Sequence, residues 1–160
     1  MTRQQSLSSP GVRFPPPILF AAGLFAGWLI DRRWYPLRLS HIGGAWVGAL
    51  GWVLIVTGLV TALWGAATFR LARTAIIPSN PASRLVCTGP YRFTRNPMYT
   101  GLTIAYLGVT ALLDSAWPAL LLPLVIAALV QVVIAREEAY LTHAFGDEYR
   151  TYQARVRRWL

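Results

Sequence analysis

Apolar residues in this chain fall into four long runs, at residues 18–30, 42–69, 99–113 and 117–135, with polar residues collected between them. A helix needs roughly 20 apolar residues to cross a hydrocarbon layer about 30 Å thick. The runs therefore predict an all-α integral membrane bundle of about four transmembrane helices. The first run is short for a crossing. Phe14 and the three prolines after it extend it, or the bilayer thins around it. Asp31, Arg32 and Arg33 close it, and Trp34 and Tyr35 follow as an interfacial anchor. The second run carries Gly44 and Gly48 as a small-xxx-small pair, with Gly51, Gly58 and Gly65 beyond. Small residues let helix backbones approach, so this helix is expected to pack against the first and third. Asp114 and Ser115 leave only a tight link between the last two runs, which makes them an antiparallel hairpin. Pro118 suits a first helical turn, whereas Pro123 should kink its helix or be accommodated by neighbours.

Beyond the fourth run, Phe145, Tyr149, Tyr152, Val156 and Trp159 recur at spacings of three and four. That period predicts a C-terminal amphipathic helix on the membrane interface, with arginines suited to the headgroups. Gly146 interrupts it, so a helix is expected to start afresh at Asp147. Residues 1–17 are polar and proline-rich and read as a disordered segment without a cleavable signal. Residues 18–160 read as a single domain.

Composition agrees with a membrane protein: 55% of residues are hydrophobic and 13% charged, with mean hydropathy +0.44. The net charge of +9 comes entirely with arginine, since the chain has no lysine. In a soluble protein that charge would suggest nucleic acid. Here the arginines flank apolar runs, as topology signals and anionic-headgroup contacts do, so membrane lipids rather than nucleic acid are the expected partner. With the N-terminus inside, twelve of the 15 arginines lie on the cytoplasmic side, against Arg32, Arg33 and Arg38 on the other. The expected location is a bacterial cytoplasmic membrane, and the arginine count favours polar chemistry facing the cytoplasm. One cysteine, Cys87, excludes an internal disulfide, and two isolated histidines with it do not make a zinc site. Nothing in the pattern fixes an oligomeric state.

The hairpin returns the chain to the side where it began. The loop "GPYRFTRNPMYTG" thus meets "AREEAYLTHAFGDEYRTY" at one interface. Pro97 suits the first turn of the third helix, and Asn96 is placed to cap it. Gly89-Pro90 reads as a turn whose glycine permits close backbone approach. Glu137 and Glu138 end the long apolar run at a helix end where carboxylates oppose the helix dipole, at a cost of roughly 0.3–1 kcal/mol each. Carboxylates at the edge of a bilayer that face a bundle interior generally hold a cation or a polar ligand, and Glu137 is the better candidate.

The stretch "SRLVCTGPYRFTRNPMYTG", followed after a hairpin by "REEAYLTHAFGDEYRTYQARVRRW", resembles the isoprenylcysteine carboxyl methyltransferases and their phospholipid methyltransferase relatives. The resemblance covers residues 83–159, and the two motifs together are far more specific than either alone. It implies an integral membrane methyltransferase that takes its methyl group from S-adenosylmethionine and passes it to a lipophilic acceptor: a prenylcysteine-like carboxylate, a lipid amine or a thiol. It implies a cofactor pocket in the half formed by residues 83–160, with Leu85 and Val86 as its wall before the turn at Gly89 and Tyr91 as a contact. Asn96, Pro97, Met98 and Tyr99 match the segment often written Arg-His-Pro-x-Tyr, and Glu137, with Glu138 beside it, matches the cofactor-holding glutamate. Asn96, Tyr99 and Glu137 are the implied catalytic residues. Asn96 stands where histidine is frequent; an amide hydrogen-bonds but does not titrate, so a general base is lost there. Val132, Val133 and Ile134 stand where prenylcysteine enzymes can carry an arginine for the substrate carboxylate, which speaks against that acceptor. Two alternatives stand beside this reading: an NADPH-dependent membrane reductase of the sterol reductase type, and a non-enzymatic helical membrane protein.

Overall fold

The computed structural model describes residues 15–73 and 84–159. The expectation of an unstructured N-terminal segment lies, through residue 14, outside them. The described chain is helical, with no strand among the described residues. Its elements are α1 (Pro17–Arg33), a single-turn α2 (Ser40–Gly43), α3 (Trp46–Leu71), a 3₁₀ turn (Gly89–Arg92), α4 (Pro97–Leu112), α5 (Trp117–Leu129), a π-helical stretch (Val130–Ile134) and α6 (Ala135–Arg155). Prolines at the first positions of α1, α4 and α5 set where those helices begin, because a first-turn residue needs no backbone donor. Pro123 lies within α5.

Among the described residues, two helices are long and apolar enough to cross a membrane: α3, and the helix from Trp117 through Arg155. The expected second run is divided, since Gly44 at φ 58° separates α2 from α3. The fourth run does not stop at residue 135 either. The π-helical stretch widens one turn, and the helix then continues into α6 until Gly146, at φ 53°, breaks its direction as the sequence predicted. The apolar part of this long helix ends at Ala135, so α6 projects beyond it.

Helix pairing bears out half of the sequence reading, the packing of the second-run helix on the third, and corrects the other half, its packing on the first. α3 packs along α4, and α1 packs along α5. The close approaches are made by Gly51, Gly58 and Gly65, each seven residues apart. A methyl group on Gly58 would meet Gly101 O at 2.5 Å, and one on Gly108 would meet Gly51 O at 2.6 Å. Gly44 and Gly48, the pair singled out by sequence, have no neighbour that close: a Cβ added at either would meet nothing within 4 Å. On the other side, Gly27 lies against the Pro118 backbone. α4 and α5 run antiparallel as the short link requires. Phe20 of α1 shares one buried cluster with Tyr99 and Tyr106 of α4 and with Val125, Leu129, Val133 and Ile134. Its ring meets Tyr106 edge-on at 6.1 Å, a favoured aromatic geometry.

At the linker end, a polar clasp ties α1 to the hairpin. Ser115 Oγ donates to buried Asp31 at 2.9 Å, Leu37 N–H donates to the same carboxylate at 3.1 Å, and Ser40 binds Asp114 through both N–H and Oγ. Asp31 is thus supplied with donors, as a buried carboxylate must be. The exposed face of α3 carries Trp52, Val56, Leu63 and Trp64, an apolar surface of the kind that faces lipid.

Candidate functional site

At the opposite end, the start of α4 meets the start of α6. Tyr99, in the first turn of α4, donates from its hydroxyl to Glu137 Oε1 at 2.7 Å. The two residues are 38 apart in sequence, and the antiparallel course of α4 and α5 brings them together. Glu137 is partly buried and has no ion pair among the described residues. Burial pushes its carboxyl up to about 7 and the charge of Glu138 adds to this, while the hydrogen bond from Tyr99 acts the other way.

Glu138 points to a different set of partners. Arg158 binds it with two hydrogen bonds, at 3.0 and 2.6 Å, and Arg95 Nη1 lies 3.2 Å from Oε1 as an ion pair without hydrogen-bond alignment. Adjacent glutamates therefore differ sharply: one is neutralised by two guanidinium groups, the other is met by a phenol.

The loop before α4 is fixed by the C-terminal tail. Arg95 N–H donates to Arg157 O at 2.9 Å, and Thr94 Oγ1 and Asn96 Nδ2 both donate to Arg158 O, at 2.9 and 3.1 Å. Asn96 occupies the N-cap position of α4, but its side chain makes no capping bond. The capping expectation is corrected: the amide is spent on the tail carbonyl 62 residues away. Tyr152, on α6, donates to Tyr91 O at 2.8 Å. Tyr91 itself is 5% exposed, and its hydroxyl has no partner among the described residues. Burial raises that phenol well above its usual range, and the charges of Tyr152 and Glu137 add to the shift, which places Tyr91 within electrostatic reach of Glu137. An unsatisfied buried hydroxyl is uncommon and marks a place where a polar ligand can bind.

Among the remaining candidates, Pro97, Met98 and Gly89 lie against α3. Pro97 is buried and Met98 partly so, and both lie against Gly65 of α3. Val86 is 7% exposed. Gly89, at φ 59°, adopts a conformation that side chains rarely take, and a Cβ there would meet Thr68 Oγ1 at 2.9 Å. Leu85 lies instead in an open groove of about 660 Å³ shared with Cys87, Arg92, Glu148 and Arg155. Cys87 is half-buried, and its thiol is pushed up by burial and then by Glu148, the reverse of an activated nucleophile. The sequence reading missed Arg158, Arg95 and Thr94. The signal for the first of these was the arginine-rich ending "RVRRWL", whose partner cannot be read from spacing.

The fold and site define a helical protein with membrane-length apolar helices, whose polar centre is assembled from the start of one helix, a second helix where it runs on past its apolar part, and the C-terminal tail; Glu137 and Glu138 thus do not stand at a helix end as the sequence suggested. The chain belongs to the phospholipid methyltransferase family, whose sequence profile matches residues 46–148. It is 44% identical over 63 residues to an uncharacterized protein of Haemophilus influenzae, covering 39% of this chain and all of that one. It is 40% identical over 72 residues to the protein-S-isoprenylcysteine O-methyltransferase of Schizosaccharomyces pombe, covering 45% of this chain and 30% of that enzyme. It is 31% identical over 117 residues to the cobalt-zinc-cadmium resistance protein CzcN of Cupriavidus metallidurans, covering 73% of this chain and 52% of that protein. The chain thus spans about a third and about half of the latter two. These matches favour a membrane methyltransferase over the reductase and the non-enzymatic alternative.

Proposed function

We propose that the protein transfers a methyl group from S-adenosylmethionine to a lipophilic acceptor at the cytoplasmic face of a bacterial membrane. In this reading α1, α3, α4 and α5 all cross the bilayer, and the part of α6 beyond Gly146 lies on its surface. The observation that carries the reading is Glu137, a carboxylate without a cationic partner among the described residues, held by the hydroxyl of Tyr99, with the buried orphan hydroxyl of Tyr91 within its electrostatic reach. A desolvated carboxylate and two aromatic rings make a place for a positive ligand.

S-adenosylmethionine supplies, when bound, an electrophilic methyl on a sulfonium. The chain's own residues supply position rather than a nucleophile. Glu137 would hold positive charge, Tyr99 fixes the carboxylate's orientation, and Tyr91 offers a hydrogen bond. Val86 and Pro97 are buried and would help exclude water. Holding two reactants in line can supply several kcal/mol of a transfer barrier. Asn96 does not titrate and is already bonded to Arg158 O, so it acts by fixing the loop. The acceptor enters from the lipid and the donor from water, which accounts for a stiff polar loop at the membrane boundary.

Incubating membranes with donor labelled in its methyl group tests this. Label is expected in the lipid-extractable fraction, and its absence from both lipid and protein fractions would reject the activity. A pH dependence follows from Glu137. In the ligand-free protein its raised pKa means that its contribution to stability is full below about 4.5 and is lost as pH rises through about 7. A cationic donor needs the ionised form, so binding should behave oppositely. At pH 5, two units below the midpoint, affinity is expected to be about 100-fold weaker than at pH 8. Calorimetric titration across that range checks it, and a flat profile would remove Glu137 from the donor site.

A further inference from the structure

Arg158 lies in the short tail that follows α6, and three separate interactions meet on it. Its guanidinium takes Glu138 at 2.6 and 3.0 Å, while its carbonyl accepts from Thr94 Oγ1 and Asn96 Nδ2. Next to it, Arg157 O takes the Arg95 N–H, and Trp159 packs against the buried cluster that contains Tyr99. Val156, at φ −121° and ψ 128°, lets the chain leave α6 in extended form and lie along the loop. The tail is thus built onto the site from both backbone and side chain.

We propose that Arg158 is a positioning residue for the methyl donor: by neutralising Glu138 it reserves Glu137 as the carboxylate that answers the donor's positive charge. Two adjacent carboxylates in a half-buried stretch of helix would otherwise repel more strongly, and Glu137 would keep its proton to still higher pH. A bidentate guanidinium suits this task, because its planar fork matches a carboxylate and never deprotonates. The inference rests on the reading that Glu137 holds the donor.

The groups facing Glu137 can be followed element by element. Tyr99 comes from α4 and Tyr91 from the 3₁₀ turn. Glu138 is its neighbour on α6, and Arg136, on its other side, is exposed. Beyond Glu138 stand Arg95 from the loop, Arg158 from the tail and Tyr149 from α6, the last facing both Glu138 and Arg95. Charge enters this circle through Glu138 and its two arginines, so their balance sets where Glu137 titrates.

The test is an infrared titration of the ligand-free protein in detergent. It follows the protonated-carboxyl band that disappears in Glu137→Gln. Arg158→Met removes one of the two positive charges on Glu138 and is expected to raise the Glu137 midpoint by about one unit. Glu138→Gln leaves the arginines uncompensated and is expected to lower it. The double variant should return close to wild type, and Arg158→Lys, which keeps the charge, should rescue most of the shift. Opposite displacements by the two single variants are the signature. A tail acting only as a structural strap would move both the same way or neither, and that result overturns the proposal. If Arg158→Met does not fold, Arg158→Gln takes its place: it removes the charge but keeps a hydrogen-bond donor, and an unchanged Glu137 midpoint in it overturns the proposal.

A second arm measures donor KM. In Arg158→Met it should rise about tenfold below the midpoint and recover at alkaline pH, with kcat at saturating donor little changed. A shifted titration without any donor binding in the wild type would reject the reading of Glu137 as the donor's partner while sustaining the charge balance.

Discussion

Glu137→Gln is expected to lower kcat/KM for methyl transfer by about 100-fold or more and to remove most of the thermal stabilisation given by donor or product. The magnitude follows from removing one partner of a desolvated charge pair, which costs about 2–5 kcal/mol. Gln keeps the volume of the side chain and still accepts the hydrogen bond from Tyr99, so the fold should persist. The ligand-free variant is even expected to melt slightly higher than wild type at alkaline pH, because the cost of burying the ionised carboxylate, which lifts Glu137 to about 7, is gone. That combination, loss of ligand response with no loss of intrinsic stability, separates a binding residue from a structural one. Steady-state kinetics with thermal melts on either side of the Glu137 midpoint would show it.

The second large effect concerns the glycine seam. Gly58→Leu or Gly101→Leu should prevent α3 and α4 from docking. A Cβ at Gly101 would lie 2.5 Å from Gly58 O and 2.6 Å from Ala62 N, both backbone atoms that cannot rotate away. Overpacking usually costs about 1–3 kcal/mol where side chains can shift, and here the helices themselves must separate. The consequence reaches the site, because Gly65 on the same seam supports Pro97 and Met98 at the start of α4. Both variants are expected to lose the monodisperse peak in size-exclusion chromatography. Gly48→Leu serves as the control: it lies on α3 with nothing within 4 Å, and should elute as wild type. Equal behaviour of Gly48→Leu and Gly58→Leu would show that the seam does not hold the helices.

These two cases show how much the sequence carries. The helix type, the proline-defined starts at Pro97 and Trp117-Pro118, and the break at Gly146 follow from local chemistry, and local chemistry is what a single sequence displays. So did the meeting of Tyr99 with Glu137, because a short link between two apolar runs leaves them no other course. What stayed hidden was non-local. Which glycines face a neighbour depends on helix rotation, so Gly44 and Gly48 looked equivalent to Gly51 and Gly58. The pairing of α1 with α5 depends on Phe20 reaching the cluster shared by α4 and α5. The role of Asn96 depended on a carbonyl 62 residues away, and its N-cap position suggested the wrong partner. The distinction between Glu137 and Glu138 came from Arg95 and Arg158, two arginines indistinguishable by composition from the others at the interface.

The most direct measurement of the central claim is the melting temperature of the detergent-purified protein with and without S-adenosylhomocysteine. Ligand at 100 times its Kd stabilises by about 2.7 kcal/mol, which for a chain of this size corresponds to roughly 5–10 °C. The account predicts a saturable rise of that order in the wild type and little in Glu137→Gln. An unchanged wild-type melting temperature at millimolar ligand would contradict it.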